Sequence, residues 1–197
     1  MTSEQFSAFW NSTYPDTIPF PPYFKQDFQD RWFRIHSLPE SKRYAENDLE
    51  WDILLSRQNK IISDLIGNST ILFIVTGEFD FNGTFNSRDF LDHELFTDFK
   101  FTSLEPIDMH KINPDEYDKE TLYRPFIAKL NWINSKYDRL LKSIANDEIR
   151  AFFICLDKKY LIAPYDGGMD IILENPVLKD IFKIKYEDWL SSNPKGL

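Results

Sequence analysis

The chain has 197 residues, 42% of them hydrophobic and 16% aromatic, with 6 Gly and 11 Pro. That composition excludes a disordered, fibrous or low-complexity protein and gives one expected domain, residues 1–197, ample material for a core. Against 23 Lys and Arg stand 32 Asp and Glu, a formal charge of −9, which repels phosphate backbones, excludes nucleic acid as a broad-surface partner and suits a basic protein.

The opening Met1-Thr2-Ser3-Glu4-Gln5 has no basic segment and leads into no long apolar one, so the expected location is the cytoplasm. The sequons at Asn11, Asn68 and Asn82 then read as accidental. No apolar run approaches the roughly 20 residues of a membrane span, so no membrane association is expected. Phe6, Phe9 and Trp10 share one side of a short N-terminal helix. Pro15, Pro19, Pro21 and Pro22 break any continuous element after it.

Trp32–Leu38 alternates as a strand that Pro39 ends. The clearest helix follows, capped by Asn47 or Asp48. Trp51, Leu54, Leu55, Ile61, Ile62 and Leu65 recur along it at helical spacing, and Gly67 is its stop. Ile71–Val75, short and rich in branched residues, reads as a buried strand. The 78–120 stretch reads as acidic loops with an Asn82-Gly83 turn and a strand near Phe99–Leu104. Phe126–Leu130 follows as a strand, and a helix from about Ser135 places Tyr137, Leu140, Leu141 and Ile144 on one face.

The last third is the most legible. Arg150–Leu156 and Tyr160–Pro164 form strands joined by the turn Asp157-Lys158-Lys159. A second turn, Asp166-Gly167-Gly168, leads into a third strand, Met169–Leu173. Asn175 caps a final helix with Pro176 at its first position and Leu178, Phe182, Tyr186, Trp189 and Leu190 on its inner face. The fold class is therefore α+β, an antiparallel sheet with a C-terminal three-stranded meander packed by several helices.

Asp166-Gly167-Gly168-Met169-Asp170 is the most distinctive local motif. Its glycines permit positive φ, and its carboxylates either brace the turn or form a binding pair. Arg34 and His36 share one face of the first strand and could line a polar pocket with them. Glu78-Phe79-Asp80-Phe81-Asn82-Gly83-Thr84 imitates the front of a calcium loop, with Asp89 at the twelfth position. Its incoming element is a strand, however, where that loop needs a helix. His36, His93 and His110 offer no ligand spacing, so no metal and no cofactor are assigned. Cys155, the one cysteine, lies in the apolar run Ala151–Leu156, as a buried small hydrophobe does. No GxSxG, P-loop or GxGxxG is present, and no catalytic residue is assigned.

Over about residues 150–197 the chain resembles a group of uncharacterised bacterial cytosolic proteins. They share a Tyr-Asp-Gly-Gly-x-Asp hairpin, here Tyr165–Asp170, and a helix ending in Trp-Leu-Ser-x-x-x-x-Gly-Leu, here Trp189–Leu197. Some members look like immunity or accessory proteins encoded near secreted toxins. The resemblance implies a non-enzymatic protein and supplies no catalytic residues. The leading expectation is a protein-binding domain that offers Glu78, Asp80, Asp92 and Glu94, with Asp89 and Asp98, to a basic partner. The rival is a small hydrolase or ligand-binding enzyme with a pocket near Asp166, Gly167, Gly168, Asp170, His36 and Arg34. Oligomeric state is left open.

Overall fold

A computed structural model describes residues 1–191. In chain order the elements are α1 (Ser3–Thr13), α2 (Pro21–Asp27), β1 (Trp32–His36), α3 (Asp48–Ile66), β2 (Thr70–Phe81), α4 (Ser87–Leu91), β3 (Thr102–Ser103), β4 (Ile107–Asp108), α5 (Met109–Ile112), β5 (Thr121–Trp132), α6 (Asp138–Ala145), β6 (Ala151–Cys155), β7 (Tyr160–Tyr165), β8 (Gly168–Ile172) and α7 (Pro176–Lys185). The α+β class, with helices packing an antiparallel sheet, is as the sequence predicts. The chain divides into two compact units. Met1–Pro19 and Phe73–Leu130 form the first, and Phe20–Leu72 and Asn131 onward form the second.

In the first unit, α1 opens with a capping box. The Thr2 hydroxyl accepts from the Gln5 N–H, and the Gln5 side chain accepts from the Thr2 N–H. Two of the helix's orphan donors are thereby satisfied. Phe6 and Trp10 are buried, and the Trp10 indole donates to the Thr17 carbonyl. The β strands run in the order β2-β5-β3, with β4 also on β5. Thr102 pairs with Ile127 and Ile107 with Tyr123. Gly77 sits where a Cβ would lie 2.6 Å from the Arg124 carbonyl oxygen, so no other residue fits that strand position unmoved. Asn82 and Gly83 both take positive φ at the predicted turn, which leads from β2 toward α4. Beyond it the chain is not a plain loop: Phe85, Phe90, Phe96 and Phe126 gather into a ring cluster that organises the short α4 and the turn after it.

The second unit is built on the predicted meander, and β1 adds a fourth strand in the antiparallel order β1-β8-β7-β6. The register sets Arg34 opposite Asp170 and Asp170 opposite Ala163. α3 is capped by the Asn47 side chain and ends at Gly67, whose φ of 88° only glycine adopts without strain. Its Leu54, Ile61, Ile62 and Leu65 are fully buried. One expectation is corrected: Pro21 and Pro22 do not keep the lead-in irregular but start α2, because a first-turn proline gives up an N–H that a helix leaves unpaired anyway. Phe24 of α2 meets Phe152 of β6 edge-on at 5.0 Å, which lays α2 against the sheet. The predicted final helix stops at Lys185, short of Trp189, and a turn of 3-10 helix follows. The Ser192–Leu197 end of the family-like motif lies outside the described residues.

Candidate functional site

Four of the predicted site residues converge in the second unit because β1 and β8 are neighbours. Arg34 and Asp170 form a directly opposed cross-strand pair. Arg34 Nε donates to Asp170 Oδ1 at 2.6 Å and Nη2 to Oδ2 at 2.9 Å, a bidentate fork. Only 17% of the Arg34 side chain and 10% of Asp170 is exposed. The guanidinium carbon lies 4.7 Å from the Tyr165 ring centre and 5.5 Å from that of Trp32, so two aromatic rings hold it in place. Burial works to lower the Arg34 pKa, but the hydrogen bonds and charge of Asp170 outweigh it and raise the value. Burial pushes the Tyr165 phenol well above its ordinary range.

The Asp-Gly-Gly turn is braced from a different direction. Asp166 accepts from Arg43 Nε at 2.5 Å and from the Tyr44 hydroxyl at 2.8 Å. The two carboxylates of the motif thus serve different guanidinium groups rather than each other. Neither Gly167 nor Gly168 adopts positive φ, contrary to the expectation for this turn. Gly168 is needed for proximity instead: a Cβ there would lie 2.0 Å from the Ile35 carbonyl oxygen of β1. His36, opposite Gly168, is 8% exposed, and its Nε2 has no hydrogen-bond partner among the described residues. Burial lowers its pKa, and the charges of Arg34 and Arg57 lower it further.

A cleft of about 220 Å³ opens over the ion pair. Arg34, Tyr165 and Asp170 line it from the sheet, Lys25 from α2, and Asp147 and Arg150 from the segment between α6 and β6. The small Ala163, across from Asp170, leaves the room. Lys25 and Arg150 escaped the sequence reading because no spacing relates positions 25, 34, 150 and 170; only sheet pairing and the α2 packing bring them together. The Pro21-Pro22 pair just before Lys25 was the available signal, read as a break instead of a helix start.

The acidic residues that the sequence offers to a basic partner all lie in the first unit, and every residue lining the cleft lies in the second. Glu78, Asp89, Asp92, Glu94 and Asp98 are exposed. Asp80 is not: it is 1% exposed and accepts from Arg124 Nε at 2.7 Å and from the Phe85 N–H at 3.1 Å. Its carboxylate holds the segment after the Asn82-Gly83 turn to β5 and does not belong to the exposed set. Cys155 is buried, and burial pushes its thiol pKa up, which suits a core side chain rather than a nucleophile.

A family model described as a domain of unknown function, DUF3885, matches residues 20–194. The chain belongs to that family. The matched span takes in every residue lining the cleft and every exposed carboxylate named above, and leaves α1 outside it. Comparison with curated proteins and with solved structures yields no match. Among the described residues, no helix is long and apolar enough to cross a membrane.

Proposed function

We propose that this DUF3885 chain is a non-enzymatic protein-binding domain whose acidic first unit docks a basic partner, in the manner of a bacterial immunity-type or accessory protein. The observation that carries this reading is the segregation of charge. The first unit holds fourteen Asp and Glu against six Lys and Arg, a net −8; the second holds eighteen against seventeen, a net −1. Nearly all of the chain's −9 is therefore concentrated in one unit, where Glu78, Asp89, Asp92, Glu94 and Asp98 face solvent. A predominantly acidic surface of this kind steers a cationic partner into encounter and disfavours anionic ones. An inhibitor of a nucleic-acid-cleaving enzyme would mask a basic cleft with such carboxylates.

The rival enzymatic reading finds only part of its predicted set in one place: Arg34 and Asp170 line the cleft, while His36 and Asp166 do not. Their chemistry favours binding over acid–base turnover. Asp170 gives both oxygens to one guanidinium, and Asp166 is engaged by Arg43 and Tyr44. A general acid or base must exchange a proton with a substrate at hydrogen-bond distance, and carboxylates clamped in this way act as fixed braces.

The test is recovery of the tagged chain from its native cells, beside a variant with Glu78, Asp89, Asp92, Glu94 and Asp98 changed to Lys. A stoichiometric basic partner is expected with the native chain and lost with the variant, and its capture should weaken steeply with salt. Equal recovery by both chains, insensitive to salt, would discard the reading.

A further inference from the structure

We infer that the cleft over the Arg34–Asp170 pair is a binding site for a small organic monoanion, a carboxylate carried on an apolar body. This site lies within the second unit, and the inference does not depend on the partner-binding reading.

The first support is the state of Arg34. A guanidinium presents two bidentate edges, one formed by Nε and Nη2 and one by Nη1 and Nη2. Asp170 takes the first edge completely. Among the described residues the Arg34 guanidinium makes no further hydrogen bond, and its unbonded Nη1 is not among the buried unpaired atoms. The Nη1/Nη2 edge is therefore a rigid, ready donor fork on the cleft wall. Asp170 on one side and the rings of Trp32 and Tyr165 hold it still. Little rotamer entropy is left to lose on binding, which is what distinguishes this arginine from a mobile surface one.

The second support is the balance of charge. Lys25, Arg34 and Arg150 line the cleft against Asp147 and Asp170, three cations to two carboxylates. Lys25 and Arg150 add positive charge beside the Arg34 fork, which suits an anionic group there. A dianionic phosphate would leave uncompensated charge close to both aspartates, while a planar carboxylate fits the fork in two parallel hydrogen bonds. The remaining wall is apolar, from Pro21, Pro22, Ile144 and Ile149. An acid with a ring or short alkyl chain would bury that body while its carboxylate meets Arg34.

The experiment titrates benzoate, phenylacetate and hexanoate, each beside its neutral amide, into the full chain at constant ionic strength. Thermal unfolding and calorimetry are the readouts. At least one acid is expected to bind saturably and raise the unfolding midpoint, with its amide silent. Lys25→Gln and Arg150→Gln should each weaken that acid severalfold. Arg34→Lys, which keeps the charge but removes the fork, should weaken it by about tenfold or more. If Arg34→Lys does not fold, the Lys25 and Arg150 variants decide the matter alone. Three results would overturn the inference: amides binding as well as acids, affinities unchanged in the Lys25 and Arg150 variants, or no saturable binding by any acid. Inorganic phosphate binding more tightly than every acid would overturn the carboxylate assignment as well.

Discussion

The two units treat their charges in opposite ways. In the second unit, cations and carboxylates are nearly equal in number and many are joined: Arg34 with Asp170, Arg43 with Asp166, Lys42 with Glu50, and Lys60 and Lys185 with Asp64. In the first, acids outnumber bases by more than two to one, and most of those between Glu78 and Glu120 face water. Charge in the second unit is structural: it holds strands, turn and helix ends in place. Charge in the first is mostly field, available to whatever approaches. Asp80, paired with Arg124 inside the first unit, is the exception that separates the two uses within one segment.

If that contrast is sound, carboxylate loss should be costly in the second unit and nearly silent on the surface of the first. The largest effect is expected at the start of β8, where it packs closely against β1. Gly168→Ala would force a methyl group to 2.0 Å from the Ile35 carbonyl oxygen, a backbone clash with no soft side chain to yield. Destabilisation of about 4 kcal/mol or more is expected from denaturant unfolding, or failure to fold; a fully stable Gly168→Ala protein would refute the assigned β1–β8 approach. Next is Asp170→Ala, which strands a largely buried Arg34 and should cost about 3–5 kcal/mol. A loss below 1 kcal/mol there would mean that the pair is not the clamp described.

A pH experiment sharpens the same contrast. Burial alone would raise the Asp64 pKa, but Lys185, the Tyr186 hydroxyl and Lys60 pull it down from 3.8 to about 2. Because the folded value lies below the unfolded one, the stabilisation is fully present above about pH 4. It is lost as pH falls toward 2, and amounts to up to about 2 kcal/mol. Asp64→Asn should remove that part of the acid sensitivity; an unchanged acid profile would count against the cluster. The smallest effect is expected from Asp92→Ala, within about 0.5 kcal/mol, as for ordinary surface positions. Asp80→Ala, only twelve residues earlier, should lower the unfolding midpoint clearly more, and equal behaviour of the two would erase the distinction drawn between buried and surface acids.

How much of this was legible beforehand depends on whether the signal is local. Asn47 before an apolar periodicity, Gly67 after it, the Asn82-Gly83 turn at the end of β2 and Asn175-Pro176 at a helix start all act within a few residues, so their elements appear where the sequence predicts them. Strand length was less legible: β2 and β5 both extend well past the apolar runs that announced them, because pairing between strands continues through polar residues that a period count passes over. The ring cluster of Phe85, Phe90, Phe96 and Phe126 hid in the same way among acidic neighbours.

For the site, the sequence by itself determined the residue types, the faces they share and the near-neighbour order: Arg34 and His36 on one side of a strand, and the Asp-Gly-Gly-x-Asp turn opening another. Alternation along a strand is a property of the backbone and needs no partner to be read. Tertiary structure alone decided that β1 lies beside β8, that Arg34 therefore meets Asp170, and that Lys25 and Arg150 close over them. It also decided that Asp80 is buried while Asp92 is not, although both stand in the same acidic stretch. Pairing between strands 136 residues apart depends on which hydrophobic faces can be covered together, an energy summed over the whole core that no local window contains.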